Sequence, residues 1–129
     1  MTTDPTVGVV LVDHGSRREE SNAMLLEVAA MFAQSSPYTI IEPAHMELAE
    51  PTLQTAFDRC IARGAEQIVV HPYFLLPGNH SREDIPRLAA EAAARRPDVP
   101  YVVTEPLGLH PLLGQVIRDR IAAALAENS

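Results

Sequence analysis

Val7-Gly-Val-Val-Leu-Val12 runs straight into Asp13-His-Gly-Ser-Arg17, and the reading of this junction decides the fold. An unbroken apolar run of that length suits a strand buried on both faces, as in a parallel sheet. Gly15 then lets the chain turn sharply. Residues near Glu19 to Ala33 take up helical spacing, and Met24, Val28, Met31 and Phe32 fall on one face, predicting core packing for the Met24/Met31 pair.

The alternation repeats outward from there. Thr39-Ile-Ile41 begins a second strand, and Pro51, near an N1 position, opens a helix running to about Arg63 and closed by Gly64. Gln67-Ile-Val-Val70 reads as the third strand. A third helix follows a Pro-Gly loop and ends before Pro97. Tyr101-Val-Val-Thr104 is the fourth strand, and Leu112 to about Ala126 the last helix. The predicted architecture is α/β: residues 1–129 as one three-layer, doubly wound sandwich, with a four-stranded parallel sheet and helices on both faces.

Composition narrows the function classes. The 129 residues are 47% hydrophobic and 21% charged, enough for one normal core and too few for two domains. No apolar run reaches a membrane span and no signal-peptide pattern opens the chain, so a cytoplasmic protein with no membrane partner is expected. The net charge of −7 disfavours nucleic acid as a partner. All ten basic residues are arginine, whose planar fork suits carboxylates. Cys60 is the single cysteine, which excludes an internal disulfide and a cysteine-ligated cluster within one chain; a buried, inert thiol is expected.

In doubly wound sheets, ligands bind beyond the carboxyl ends of the strands. His14, His45 and His110 follow strands one, two and four, His71 ends strand three, and His80 lies in the loop behind it. His14 can face the crevice while Ser16, Arg17 and Arg18 line the start of a helix. If the second strand stays extended through Ala44-His-Met-Glu-Leu48, His45 and Glu47 project to one side. The bland alternative makes Glu50 the cap of the helix at Pro51. The stretch from His71 to Pro86 is an apolar, aromatic loop that suits a flat hydrophobic ligand with a polar rim; Ser81 or Asp84 caps the following helix, and Pro86 belongs to its first turn. His110 reads as a turn residue.

Val12-Asp-His-Gly-Ser-Arg17, Met46-Glu-Leu-Ala-Glu-Pro51, the loop from Pro72 to His80 and Asp84-Ile-Pro86 together resemble the class II chelatases, the sirohydrochlorin chelatases of siroheme and cobalamin synthesis. The resemblance covers nearly the whole chain. Ile41 to Pro51 is especially similar to the plant and bacterial sirohydrochlorin ferrochelatases. It implies ATP-independent insertion of a divalent metal into sirohydrochlorin, most simply Fe²⁺, by a short-form homodimer. The site it implies is His14 and His80, catalytic and metal-binding, with Glu47 as a further metal carboxylate. Glu50 and Leu75, Leu76, Pro77, Gly78 and Asn79 match tetrapyrrole contacts. Arg17 and Arg82 are assigned to substrate carboxylates by their position beside the histidines. Plant members carry extra cysteines for an iron–sulfur cluster; with Cys60 alone, no cluster is expected.

The chemistry is consistent with these residue types. Imidazole and carboxylate suit Fe²⁺, Co²⁺ and Ni²⁺ alike, and an imidazole, titrating at about 6.5 in general, can take a pyrrole proton near neutrality. His14 is the expected base. His45, His71 and His110 inherit no firm role, and replacing His110 or His45 should cost much less than replacing His14 or His80. Cobalt or nickel insertion is an alternative, as is a non-catalytic carrier of metal or tetrapyrrole on the same fold. A phosphatase using His14 as nucleophile is disfavoured by Asp13, where an arginine would be expected.

Overall fold

A computed structural model describes residues 4–76, 78 and 81–128, without the side chain of Ser81. Strands and helices alternate in the order β1 (Val7–Asp13), α1 (Glu19–Ser35), β2 (Ile40–His45), α2 (Leu53–Ala62), β3 (Gln67–Pro72), α3 (Ser81–Ala94), β4 (Tyr101–Val103) and α4 (Pro111–Glu127). The four strands form one parallel sheet in the order β2-β1-β3-β4. With β1 central, alternate side chains serve opposite layers. Val10 and Val12 join Ile68 and Val70 beneath α2 and α3, whereas Val9 and Leu11 join Ile41 beneath Leu25 and Ala29 of α1. Helices thus lie on both faces, as the alternation predicts.

β2 continues through Pro43 to His45, further than the apolar pair Ile40-Ile41 suggests. It is an edge strand, where a proline without an N–H is tolerated. It does not stay extended beyond His45: Leu48 takes a left-handed φ of 72°, and the chain bends through to a cis Glu50–Pro51 peptide. His45 is consequently buried and Glu47 exposed, so the expected common side for these two is not found.

Further details depart from the sequence reading. The packed face of α1 is Leu25, Val28, Ala29 and Phe32, while Met24 and Met31 are 57% and 61% exposed. α2 begins after Pro51, not at it. The Thr52 hydroxyl accepts from the Thr55 N–H at 3.2 Å, and the Glu50 carboxylate accepts from the Thr52 N–H at 2.9 Å, so threonine is the cap. Asp84 lies inside α3 and pairs with Arg87, so it caps nothing, and Pro86 sits beyond the first turn. Cys60 is buried between α2 and β1 as expected; burial pushes its thiol up to about 12, with Glu42 raising it further and Arg63 opposing. No residue of α4 is buried.

Candidate active site

The carboxyl edge of β1 is built by backbone hydrogen bonds to the segment leaving β2. The Met46 N–H donates to the Asp13 carbonyl at 2.8 Å and the Glu47 N–H to the His14 carbonyl at 3.2 Å. Gly15 turns the chain at φ 88°, and a Cβ there would lie 1.8 Å from the Glu47 carbonyl oxygen. Only glycine permits this approach. The turn is completed by the Asp13 carboxylate, which accepts from the Gly15 N–H at 3.0 Å. The same carboxylate oxygen lies 2.6 Å from Nδ1 of His45.

His45 is 3% exposed and the one buried polar residue among those described. Its backbone is held too, since its N–H donates to the Pro51 carbonyl at 2.8 Å. His45, to which the resemblance gives no firm role, thus braces Asp13, whose backbone and side chain both shape the His14 turn. The pairing arises from strand register, which the sequence alone does not show. Asp13 and His45 are cross-strand partners at the ends of adjacent strands.

His14 itself is exposed, and its ring lies flat on Phe74, centroids 4.5 Å apart and planes 19° from parallel. Phe74 also lines a cavity of about 600 Å³ with Leu76, Arg82, Ile85, Pro86 and Leu107, among others. That volume is within the usual range for small-molecule sites. Arg82 and Leu76 therefore border the cavity that adjoins His14. Leu75 is exposed beside them, and the Gly78 carbonyl accepts from the Arg82 N–H at 3.2 Å. Arg17 and Glu50 are exposed on the β1–β2 side. Pro77, Asn79 and His80 lie outside the described residues. Among the described residues no three metal-ligating side chains converge as a preformed metal centre.

The far wall is the segment after β4. The Leu107 N–H donates to the Phe74 carbonyl at 3.0 Å and the Gly108 N–H to the Leu75 carbonyl at 2.9 Å. Below them, Nδ1 of His71 lies 2.8 Å from the Thr104 hydroxyl, which donates to the Glu105 carbonyl. Burial holds the His71 imidazole below its usual range, against a backbone hydrogen bond at Glu105 that raises it. His110 is a helix cap, as its turn reading suggests: its Nδ1 accepts from the Leu112 N–H at 3.1 Å.

A family model described as CbiX matches residues 8–124. The chloroplastic sirohydrochlorin ferrochelatase of Arabidopsis thaliana is 51% identical over 119 residues, covering 92% of this chain and 53% of the plant protein. The sirohydrochlorin cobaltochelatase of Methanopyrus kandleri is 32% identical, covering 94% of this chain and 99% of its own. Among solved structures, SirB from Bacillus subtilis with Fe³⁺ superposes with a TM-score of 0.82 at 28% identity, covering 89% of this chain and 46% of SirB. The chain thus spans about half the length of the plant relative and of SirB.

Proposed function

The chain belongs to the CbiX family, and on that premise we propose that it inserts a divalent metal, Fe²⁺ first among the candidates, into sirohydrochlorin without ATP. The observation that carries this reading is the flat stack of His14 on Phe74 at the rim of a cavity of about 600 Å³. Metal enters as M²⁺ and two pyrrole protons leave. His14 takes a proton, its ring plane fixed by Phe74 and its backbone by the Gly15 turn. Glu47, whose N–H is tied to the His14 carbonyl, offers a carboxylate to the incoming ion, and His80 shares it. Leu75 to Asn79 and Glu50 contact the tetrapyrrole. Arg17 and Arg82 meet its carboxylates, offsetting a protein of net charge −7.

Iron is favoured by the 51% identity to a protein named as a ferrochelatase, while the Methanopyrus relative's name keeps cobalt as the alternative metal. The proposal includes no iron–sulfur cluster, because Cys60 is the only cysteine and is buried. It places the protein in the cytoplasm as a homodimer. Among the described residues no helix is long and apolar enough to cross a membrane; the Arabidopsis relative is named as chloroplastic.

Anaerobic absorbance spectra of sirohydrochlorin with Fe²⁺, Co²⁺ or Ni²⁺, with and without protein, test the reaction. Catalytic turnover is expected with one metal preferred, and His14→Ala and His80→Ala should each lower the rate at least about 100-fold, the scale of a lost general base. Stoichiometric binding without turnover would make the protein a carrier instead.

A further inference from the structure

The cavity wall opposite His14 hangs from the edge of the sheet. β4 is three residues long and is an edge strand, paired with β3 on one side. The chain leaves the ladder at Thr104, and the segment from Thr104 to Leu109 lines the cavity. Its backbone is tied where the Thr104 N–H donates to the Val70 carbonyl at 2.9 Å, and again at Leu107 and Gly108. Pro106, between these ties, has no N–H to give.

His71 acts on this span from the other face of the sheet. Side chains alternate along β3 and just beyond it, so that Pro72 and Phe74 border the cavity while His71 and Tyr73 lie on the α1 face. Thr104 borders both sides. Nδ1 of His71 lies 2.8 Å from the Thr104 hydroxyl. That hydroxyl has one proton and donates it to the Glu105 carbonyl at 2.8 Å. Toward the ring it therefore accepts, and this bonding assigns the imidazole proton to Nδ1. The relay from His71 through Thr104 to Glu105 fixes the direction of the chain between its last ladder bond and its ties at Leu107 and Gly108.

We infer that His71 and Thr104 are positioning residues for the tetrapyrrole: their clasp holds the wall segment at a set distance from Phe74 and so governs substrate affinity rather than the rate of metal insertion. The division follows from the anchors on the other side. Phe74, against which the His14 ring lies, follows Tyr73, whose N–H donates to the Val12 carbonyl of β1 at 2.7 Å. His14 is held by the Gly15 turn and Asp13. Releasing the clasp moves the far wall and leaves the His14–Phe74 stack in place. The inference rests on the tetrapyrrole reading above and is independent of which metal is inserted.

The test uses two variants of the full chain that release the clasp and two that keep it. Thr104→Val preserves the shape of the side chain without its hydroxyl, and His71→Leu removes the donor. Thr104→Ser retains the hydroxyl, and the amide of His71→Asn can donate from near the position of Nδ1. Each is titrated with metal-free sirohydrochlorin by fluorescence and then assayed anaerobically with Fe²⁺ or Co²⁺. Thr104→Val and His71→Leu should each raise Kd and KM for sirohydrochlorin about tenfold, the scale of one lost hydrogen bond, and leave kcat within about twofold. Thr104→Ser and His71→Asn should stay close to the natural values. The double variant, Thr104→Val with His71→Leu, should be no worse than either single one, because both break the same link.

Amide hydrogen exchange should quicken at Leu107 and Gly108 in the released variants and stay unchanged at Met46 and Glu47, which also shows that they fold; either released variant suffices alone. Unchanged affinity for sirohydrochlorin overturns the inference, as does a loss confined to kcat or a double variant that sums the two losses. A natural chain that binds sirohydrochlorin without turnover overturns the chelatase reading alone, since Kd still reads the clasp. One that binds no sirohydrochlorin overturns both.

Discussion

The two halves of the carboxyl edge are built differently. At β1 and β2, backbone hydrogen bonds cross between strand ends, a half-buried carboxylate meets a buried imidazole, and a glycine admits a carbonyl where any side chain would collide. At β3 and β4, among the described residues, backbone bonds from Leu107 and Gly108 and the His71–Thr104 pair join the two sides, and the space between them is the cavity. The first half holds the His14 turn in one place. The second leaves an open cavity. A held imidazole beside an open cavity suits the proposed reaction, in which a proton acceptor is oriented against a bulky, flat substrate.

The sharpest way to break this contrast is Gly15→Ala. At φ 88° and 1.8 Å from the Glu47 carbonyl, the new methyl forces the two strand ends apart. The expected cost is about 3 kcal/mol or more of stability, with loss of nearly all metal insertion. Thermal melts and the anaerobic absorbance assay read the two effects. A stable, active variant would show that the close approach is not what holds His14.

His45→Ala comes next. It removes the partner of Asp13 and leaves a small void, for about 2 kcal/mol of destabilisation, and it loosens the turn carrying His14. Activity should fall at least about tenfold, chiefly in kcat, since the proton acceptor is misplaced rather than the slot; a 1 Å misplacement can cost that much. His45→Gln, which can still bond Asp13, should recover part of it. Loss confined to stability would make His45 structural alone.

The smallest effect concerns His71 in the open half. Its folded pKa is lowered by burial, so the unfolded chain takes up the proton first. The stability it contributes is complete above the unfolded value of about 6.5 and is lost as pH falls through the lower folded value. Urea midpoints between pH 7.5 and 5 should therefore decline more steeply for the natural chain than for His71→Asn. Parallel curves would mean that His71 titrates alike in both states.

Fold class was legible because β1 is a short apolar run buried on both faces and β3 carries a second short apolar run, a pattern that few other arrangements satisfy. The helices were legible as elements but less so by face. In α1 the methionines look as apolar as Leu25 and Ala29, and helical spacing alone cannot say which of two adjacent stripes meets the sheet. The apolar pair Ile40-Ile41 marks where β2 begins but not where it ends, since Pro43 is tolerated there because the strand is an edge, which is a fact of topology. His14 and the cavity loop were visible as a local motif. The Asp13–His45 pair was not, since its partners are 32 residues apart and become neighbours only when two strand ends fall into register. The exposure of α4, none of whose residues is buried, was equally hidden, since its composition is that of any surface helix.

Cys60 has a consequence for the proposed handling of iron or cobalt. β1 approaches α2 so closely at Gly8 that a Cβ there would lie 2.9 Å from Cys60 Cβ, and the thiol beneath has no exposed surface. With its thiolate form suppressed by burial, it offers redox-active metals neither a competing soft ligand nor an oxidisable sulfur. A protein loaded with such ions in air would accumulate damage at exposed methionines such as Met24 and Met31 before its one cysteine.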